Sequence, residues 1–159
     1  MREILFRGIP KDDTTRHFFA DIWKDDCDGS FVYGSLIISK DRYYICVSAL
    51  CQINSCINNG MTSMIEVIPE TVGQHTGLSD KNGKKVFEGD IIKTVTNSFD
   101  RDEFITEIKF GARRGVQGFY LANGRMMFYF GQKDLTVMDD TEVIGNIHDN
   151  PELLKGGEG

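Results

Sequence analysis

The sequence predicts a mainly β protein with little helix. Short segments rich in β-branched and aromatic residues recur from Phe6 to Ile147. Turn residues separate them, and two Asn-Gly pairs, Asn82-Gly83 and Asn123-Gly124, carry a strong hairpin signal. Helical spacing over several turns is confined to one segment before Phe31.

Met1–Arg7 alternates weakly and predicts a short strand closed by Gly8. Within Lys11–Ser30, a cap at Thr14 or Thr15 starts a short helix. It places Phe18, Phe19, Ile22 and Trp23 on one face. Phe31–Ser39 and Arg42–Ile53 are expected to pair as a hairpin about Ser39-Lys40-Asp41. Asn54–Gly60 reads as a loop, and Met64–Ile68 as a strand stopped by Pro69. Val86–Val95 predicts a strand bent at Gly89, with the Asn82-Gly83 turn before it. Glu103–Phe110 alternates, and Gly118–Leu121 and Arg125–Phe130 flank Asn123-Gly124. Glu142–Ile147 is the last strand. Asn150-Pro151 ends it, with one helical turn over Pro151–Leu154 and a frayed tail from Lys155. Five short strands between Val86 and Ile147 predict closure into an SH3-like small β-barrel, which removes exposed edges. The expected organisation is one domain over residues 1–159. A small N-terminal β-rich lobe with the short helix takes residues 1–78, and the SH3-like lobe takes 79–154.

Composition narrows the function classes. With 40% apolar residues in 159, a packed core is affordable and wholesale disorder is not expected. Eighteen basic against 24 acidic residues give a net charge of −6, which excludes a broad basic coat for DNA or anionic lipid but leaves room for a local patch. The densest apolar stretch, Tyr43–Cys51, is about half the roughly 20 residues of a membrane span. Met1-Arg2-Glu3-Ile4 lacks the apolar core of a signal peptide, so a cytoplasmic protein is expected. Cys27, Cys46, Cys51 and Cys56 suit buried free thiols. They form no CxxC pair, and neither a metal nor a cofactor is expected.

Three blocks resemble the YopX family of phage and prophage proteins. The first is Phe6-Arg7-Gly8, followed after a spacer by Phe31-Val32-Tyr33-Gly34. The second and most specific runs from Ile68-Pro69-Glu70-Thr71-Val72-Gly73-Gln74-His75-Thr76-Gly77-Leu78 through Asn82-Gly83 to Glu88-Gly89-Asp90-Ile91-Ile92. The third is Val143-Ile144-Gly145-Asn146-Ile147-His148-Asp149-Asn150-Pro151-Glu152-Leu153-Leu154. The resemblance implies a phage or prophage protein working in the bacterial cytoplasm, with a mainly β fold and an SH3-like C-terminal part. It implies no function, because none is established for the family. His75 stands where an aromatic ring is common in the family, which speaks against a shared catalytic histidine.

The motif residues admit a structural and a functional reading. In Thr71–Leu78, glycines allow positive φ or close approach, and Thr and Gln side chains can bond nearby backbone. A fixed turn joining the two lobes follows. The rival is a polar pocket rimmed by Glu70 and His75, but no nucleophile with an orienting partner accompanies it. Glu88 and Asp90 are two apart and would share a face of a regular strand. They suit a cation or an acid/base pair, or else a corner at Gly89 that Asp90 holds. Pro69, Glu70, Thr71, Gly73, Gln74, Thr76, Gly77, Gly83, Glu88, Gly89, Asp90, Gly145, Asn146, Asn150 and Pro151 are therefore expected to be structural.

Two surfaces remain as binding candidates. Phe18, Phe19, Ile22 and Trp23 form an aromatic stripe that either docks on the domain or fills a groove on a protein partner. Arg113 and Arg114, in a Gly111–Gly118 loop, stand with Lys109 and Arg125 near Phe119-Tyr120. That mixture is the best local basic patch and could grip single-stranded nucleic acid. The sequence thus predicts a non-enzymatic phage accessory module without cofactor. It would bind a host or phage protein, or a second copy of itself. Nucleic-acid binding through the arginines is the alternative, and no membrane partner is expected.

Overall fold

A computed structural model describes residues 4–13, 30–48, 62–95, 103–113, 116–122, 137–138 and 140–155. The chain divides into two compact units, Glu3–Gln74 and His75–Gly159. Among the described residues both are built almost wholly of strands, so the fold is mainly β.

The first unit is an antiparallel sheet. Its strands are β1 (Phe6–Gly8), β2 (Val32–Ser39), β3 (Arg42–Ser48), β4 (Thr62–Val67) and the start of β5 (Gly73–Asp80). The spatial order is β5-β1-β2-β3-β4. β2 changes partner along its length: Val32–Gly34 pair with β1 and Ser35–Ser39 with β3. Gly34 sits at the exchange, and any Cβ there would collide with the Cys46 carbonyl. The hairpin turns at Lys40, whose φ is +55°. Ile45 lies directly opposite Leu36 and Ile65, and Tyr43 opposite Val67. Alternation therefore directs these side chains to one face. There Val32, Ile45, Val47, Ile65 and Val67 form the core, with Phe6, Leu36, Tyr43 and Val72 against it.

The second unit continues β5 and adds β6 (Lys85–Phe87), β7 (Asp90–Val95), β8 (Glu103–Arg113), β9 (Val116–Leu121), β10 (Val137–Met138) and β11 (Glu142–Asn146). β5 pairs antiparallel with β6 and parallel with β10. The other strands form an antiparallel sheet in the order β11-β7-β8-β9. β8 also exchanges partners: Glu103–Glu107 pair with β7 and Ile108–Arg113 with β9. Leu78, Val86, Ile92, Ile108 and Val143 fill the core, with Phe119 and Leu121 packed on it.

Several elements differ from the sequence reading. Thr71–Leu78 is not a turn: after a 3-10 turn at Pro69–Thr71 it becomes β5. Val86–Val95 is two strands rather than one bent strand, because Gly89 at φ +80° turns the chain between them. Gly111–Gly118 is not an open loop, since Gly111 pairs with Gly118 and Arg113 with Val116. The Phe110–Phe119 ring pair, 4.9 Å between centroids, fastens that ladder. Pro151–Leu154 forms a 3-10 turn. The helix expected at Thr14–Trp23 and the strand at Arg125–Phe130 lie outside the described residues.

Candidate functional site

Pro69 and Glu70 are exposed on the 3-10 turn. Thr71 is buried, and its Oγ1 donates to the Ile68 carbonyl at 2.7 Å while accepting from the Ile9 amide at 2.9 Å. One hydroxyl therefore ties the turn to the chain that follows β1. Gly73 and Gln74 pair with Arg7 and Phe6 in the ladder. Arg7 is itself buried, its guanidinium 4.3 Å from the centre of the Phe31 ring.

In the second unit, Gly77 at φ +87° carries a bulge that displaces the β5–β6 register between His75 and Ser79. The bulge leaves the Leu78 amide out of the regular ladder, and Thr76 Oγ1 accepts from it at 3.2 Å. The same hydroxyl donates to the Val86 carbonyl at 2.9 Å, so Thr76 binds both strands. His75 is buried, with its ring 5.1 Å from that of Phe87 and Nε2 3.2 Å from the Leu78 carbonyl oxygen.

Among the described residues of this unit, Asp80 and Asp90 are the most deeply buried charged groups, each 1% exposed. Asp80 Oδ1 accepts from the amides of Asn82 and Lys84 at 2.8 and 2.9 Å, and its Oδ2 accepts from the Val143 amide at 3.0 Å. A single carboxylate thus fixes the β5–β6 turn and holds β11 to it. Gly83 takes φ +83°, while Asn82 keeps a negative φ. The Gly83 amide donates to the Asp80 carbonyl and the Asp80 amide to the Lys84 carbonyl. The result is a three-residue hairpin loop with glycine in the left-handed position, not a two-residue Asn-Gly turn. Next to it, Lys81 Nζ meets Glu142 Oε2 at 2.6 Å. That hydrogen bond holds the ammonium above the ordinary lysine value.

Asp90 closes the next corner, where Oδ2 accepts from the Phe87 amide at 2.7 Å. Glu88 and Gly89 form this turn, and the Gly89 amide and carbonyl bond Ile108 and Ile147. In the third block Asn146 Oδ1 accepts from the His148 and Asp149 amides at 2.9 and 3.0 Å, and its Nδ2 donates to Asp149 Oδ2 at 3.0 Å. Gly145 leaves room for Asn150, whose Oδ1 would lie 2.6 Å from any Cβ at that position. Pro151 then opens the terminal 3-10 turn.

The basic patch is only partly described. Lys109 is half-exposed and pairs with Glu107 at 3.2 Å, which offsets its charge. Arg113 ends β8. Arg114 and Arg125, and the aromatic set Phe18, Phe19, Ile22 and Trp23, lie outside the described residues. Among the described residues, no group of three or more His, Cys, Asp or Glu side chains is placed to hold a metal ion. No helix among them is long and apolar enough to cross a membrane. The role of Asp80 was not read from the sequence. An Asp two residues before Asn-Gly is the signal for it, since Asp side chains bond amides two residues on.

No curated protein matches the sequence. Among solved structures, the chain is similar to the crystal structure of protein EF1440 from Enterococcus faecalis. Sequence identity is 21%, coverage is 97% of this chain and 99% of that one, and the TM-score is 0.48. A family model described as YopX protein matches residues 22–155, which contain the second and third blocks entire. The chain belongs to the YopX family.

Proposed function

We propose that the protein is a non-enzymatic accessory module of a bacteriophage or prophage that binds a protein partner in the bacterial cytoplasm. One observation carries this reading. The polar side chains of the motif are directed at main-chain atoms of their own chain: Thr71, Thr76, Asp80, Asp90 and Asn146 each bond backbone amides or carbonyls. A substrate site needs such groups directed at a ligand, with a nucleophile or base oriented by a neighbour. The partner-facing residues in this reading are Phe18, Phe19, Ile22 and Trp23, three aromatic residues and one aliphatic of the kind that anchors protein interfaces. The SH3-like character of the second unit belongs to the same proposal. It is supported by β8, a long strand that serves β7 with one half and β9 with the other.

The test is affinity capture of the tagged chain from its bacterial host, with and without nuclease. A protein partner retained after nuclease treatment is expected. Recovery of nucleic acid, or loss of every partner on nuclease treatment, would overturn the reading in favour of the Arg113–Arg114 region.

A further inference from the structure

Asn82 and Gly83 lie together on an exposed turn. Asn-Gly is chemically fragile because glycine offers no side chain to obstruct ring closure. The Gly83 nitrogen gives up its proton and attacks Asn82 Cγ. The N–Cγ bond forms, the Cγ–Nδ2 bond breaks, and Nδ2 leaves as ammonia. Water then opens the cyclic imide at either carbonyl, giving aspartate or isoaspartate, and nothing is oxidised or reduced. Steric protection is absent, since a Cβ built on Gly83 meets nothing within 4 Å.

The turn itself supplies the protection. The nucleophile is occupied, because the Gly83 amide donates to the Asp80 carbonyl at 2.9 Å. Its neighbours on both sides are pinned by one atom, Asp80 Oδ1, at 2.8 Å from the Asn82 amide and 2.9 Å from the Lys84 amide. Ring closure requires the Gly83 nitrogen to swing towards Asn82 Cγ, which breaks the first bond and strains the other two. The nearby carboxylate also opposes the negative charge that the nucleophile must develop. We infer that Asn82-Gly83 is a latent deamidation site that the buried Asp80 carboxylate holds closed. Once formed, isoaspartate adds a methylene to the main chain within the loop that sets the Ser79–Lys85 pairing. The modified turn could not restore that pairing.

The test incubates the full-length protein at mildly alkaline pH, natively and in denaturant, and reads Asn82 by peptide mass spectrometry with isoaspartate detection. Asn59-Gly60 and Asn123-Gly124 calibrate the unfolded rate in the same digest. Native Asn82 is expected to react at least about tenfold more slowly than in the denatured chain, the scale of one charge-assisted hydrogen bond to Asp80 Oδ1. Asp80→Ala, where it folds, should recover most of that factor. Equal native and denatured rates, or a folded Asp80→Ala no faster than the parent, would overturn the proposal. Hydrogen exchange of the Gly83 amide in the unmodified protein tests it without any variant: protection is expected, and rapid exchange overturns it.

Discussion

Asp80→Asn is nearly isosteric, so its cost isolates hydrogen-bond chemistry from packing. The carboxylate offers acceptors on both sides, to the amides of Asn82 and Lys84 through Oδ1 and of Val143 through Oδ2. Asparagine keeps one acceptor. With its oxygen towards Asn82 and Lys84, its NH2 faces the Val143 N–H across the 3.0 Å now bridged by a hydrogen bond, and two donors meet. The lost charge-assisted bond and the stranded amide cost about 2 kcal/mol. The two surviving bonds fall from charged to neutral strength, adding roughly 1 kcal/mol or more. The sum of about 3 kcal/mol is a large share of a typical folding free energy. In a urea titration followed by circular dichroism, the midpoint should fall by roughly 1–2 M with the slope unchanged. Lys81→Ala, which removes the half-exposed ion pair to Glu142, is the control and should cost less than about 1 kcal/mol. An Asp80→Asn midpoint no lower than that of Lys81→Ala would show that the three amides do not depend on the Asp80 carboxylate.

Other substitutions separate the remaining causes. Gly34→Ala drives a Cβ into the Cys46 carbonyl, so β2 and β3 must shift, at a cost of about 1–3 kcal/mol or more. Gly83→Ala meets no atom and bears only the strain of φ +83°, about 1–2 kcal/mol. Urea midpoints should therefore rank Gly34→Ala as the more damaging. Thr71→Val keeps the shape but strands the Ile9 amide, costing roughly 1–3 kcal/mol by the same titration. Ile45→Ala, at a fully buried position in the first core, should cost about 2–5 kcal/mol and lower the thermal midpoint accordingly.

The parts of the fold legible in the sequence are those written in apolar alternation. Phe31–Ser39 and the stretch from Arg42 announce β2 and β3 because their β-branched and aromatic residues must choose a face. β5 carries no such mark. Gly73 and Gly77 are poor strand formers, Gln74, His75 and Thr76 between them show no apolar alternation, and the ladders to β1 and β6 impose the extended chain. The glycines at 111 and 118 suggested a loop, yet they pair with each other across a hairpin held by Phe110 and Phe119. The same masking applies to the motif's chemistry. Asp80 and Thr76 are ordinary polar residues in the sequence, and only the third dimension brings Val143 and Val86 within their reach. The family blocks were legible from their order and spelling, and the matched span, residues 22–155, covers the second and third of them.

The proposed function separates a motif whose polar side chains bond their own backbone from an aromatic segment that meets a partner. Phe19→Ala/Trp23→Ala tests it most directly, with nuclease-resistant partner capture and the urea midpoint measured on one preparation. Capture should be lost while the stability read from the urea titration stays within about 0.5 kcal/mol of the parent, the usual range for surface changes. Capture that survives the double substitution, or a collapse of the midpoint that places these rings in the core, would contradict it.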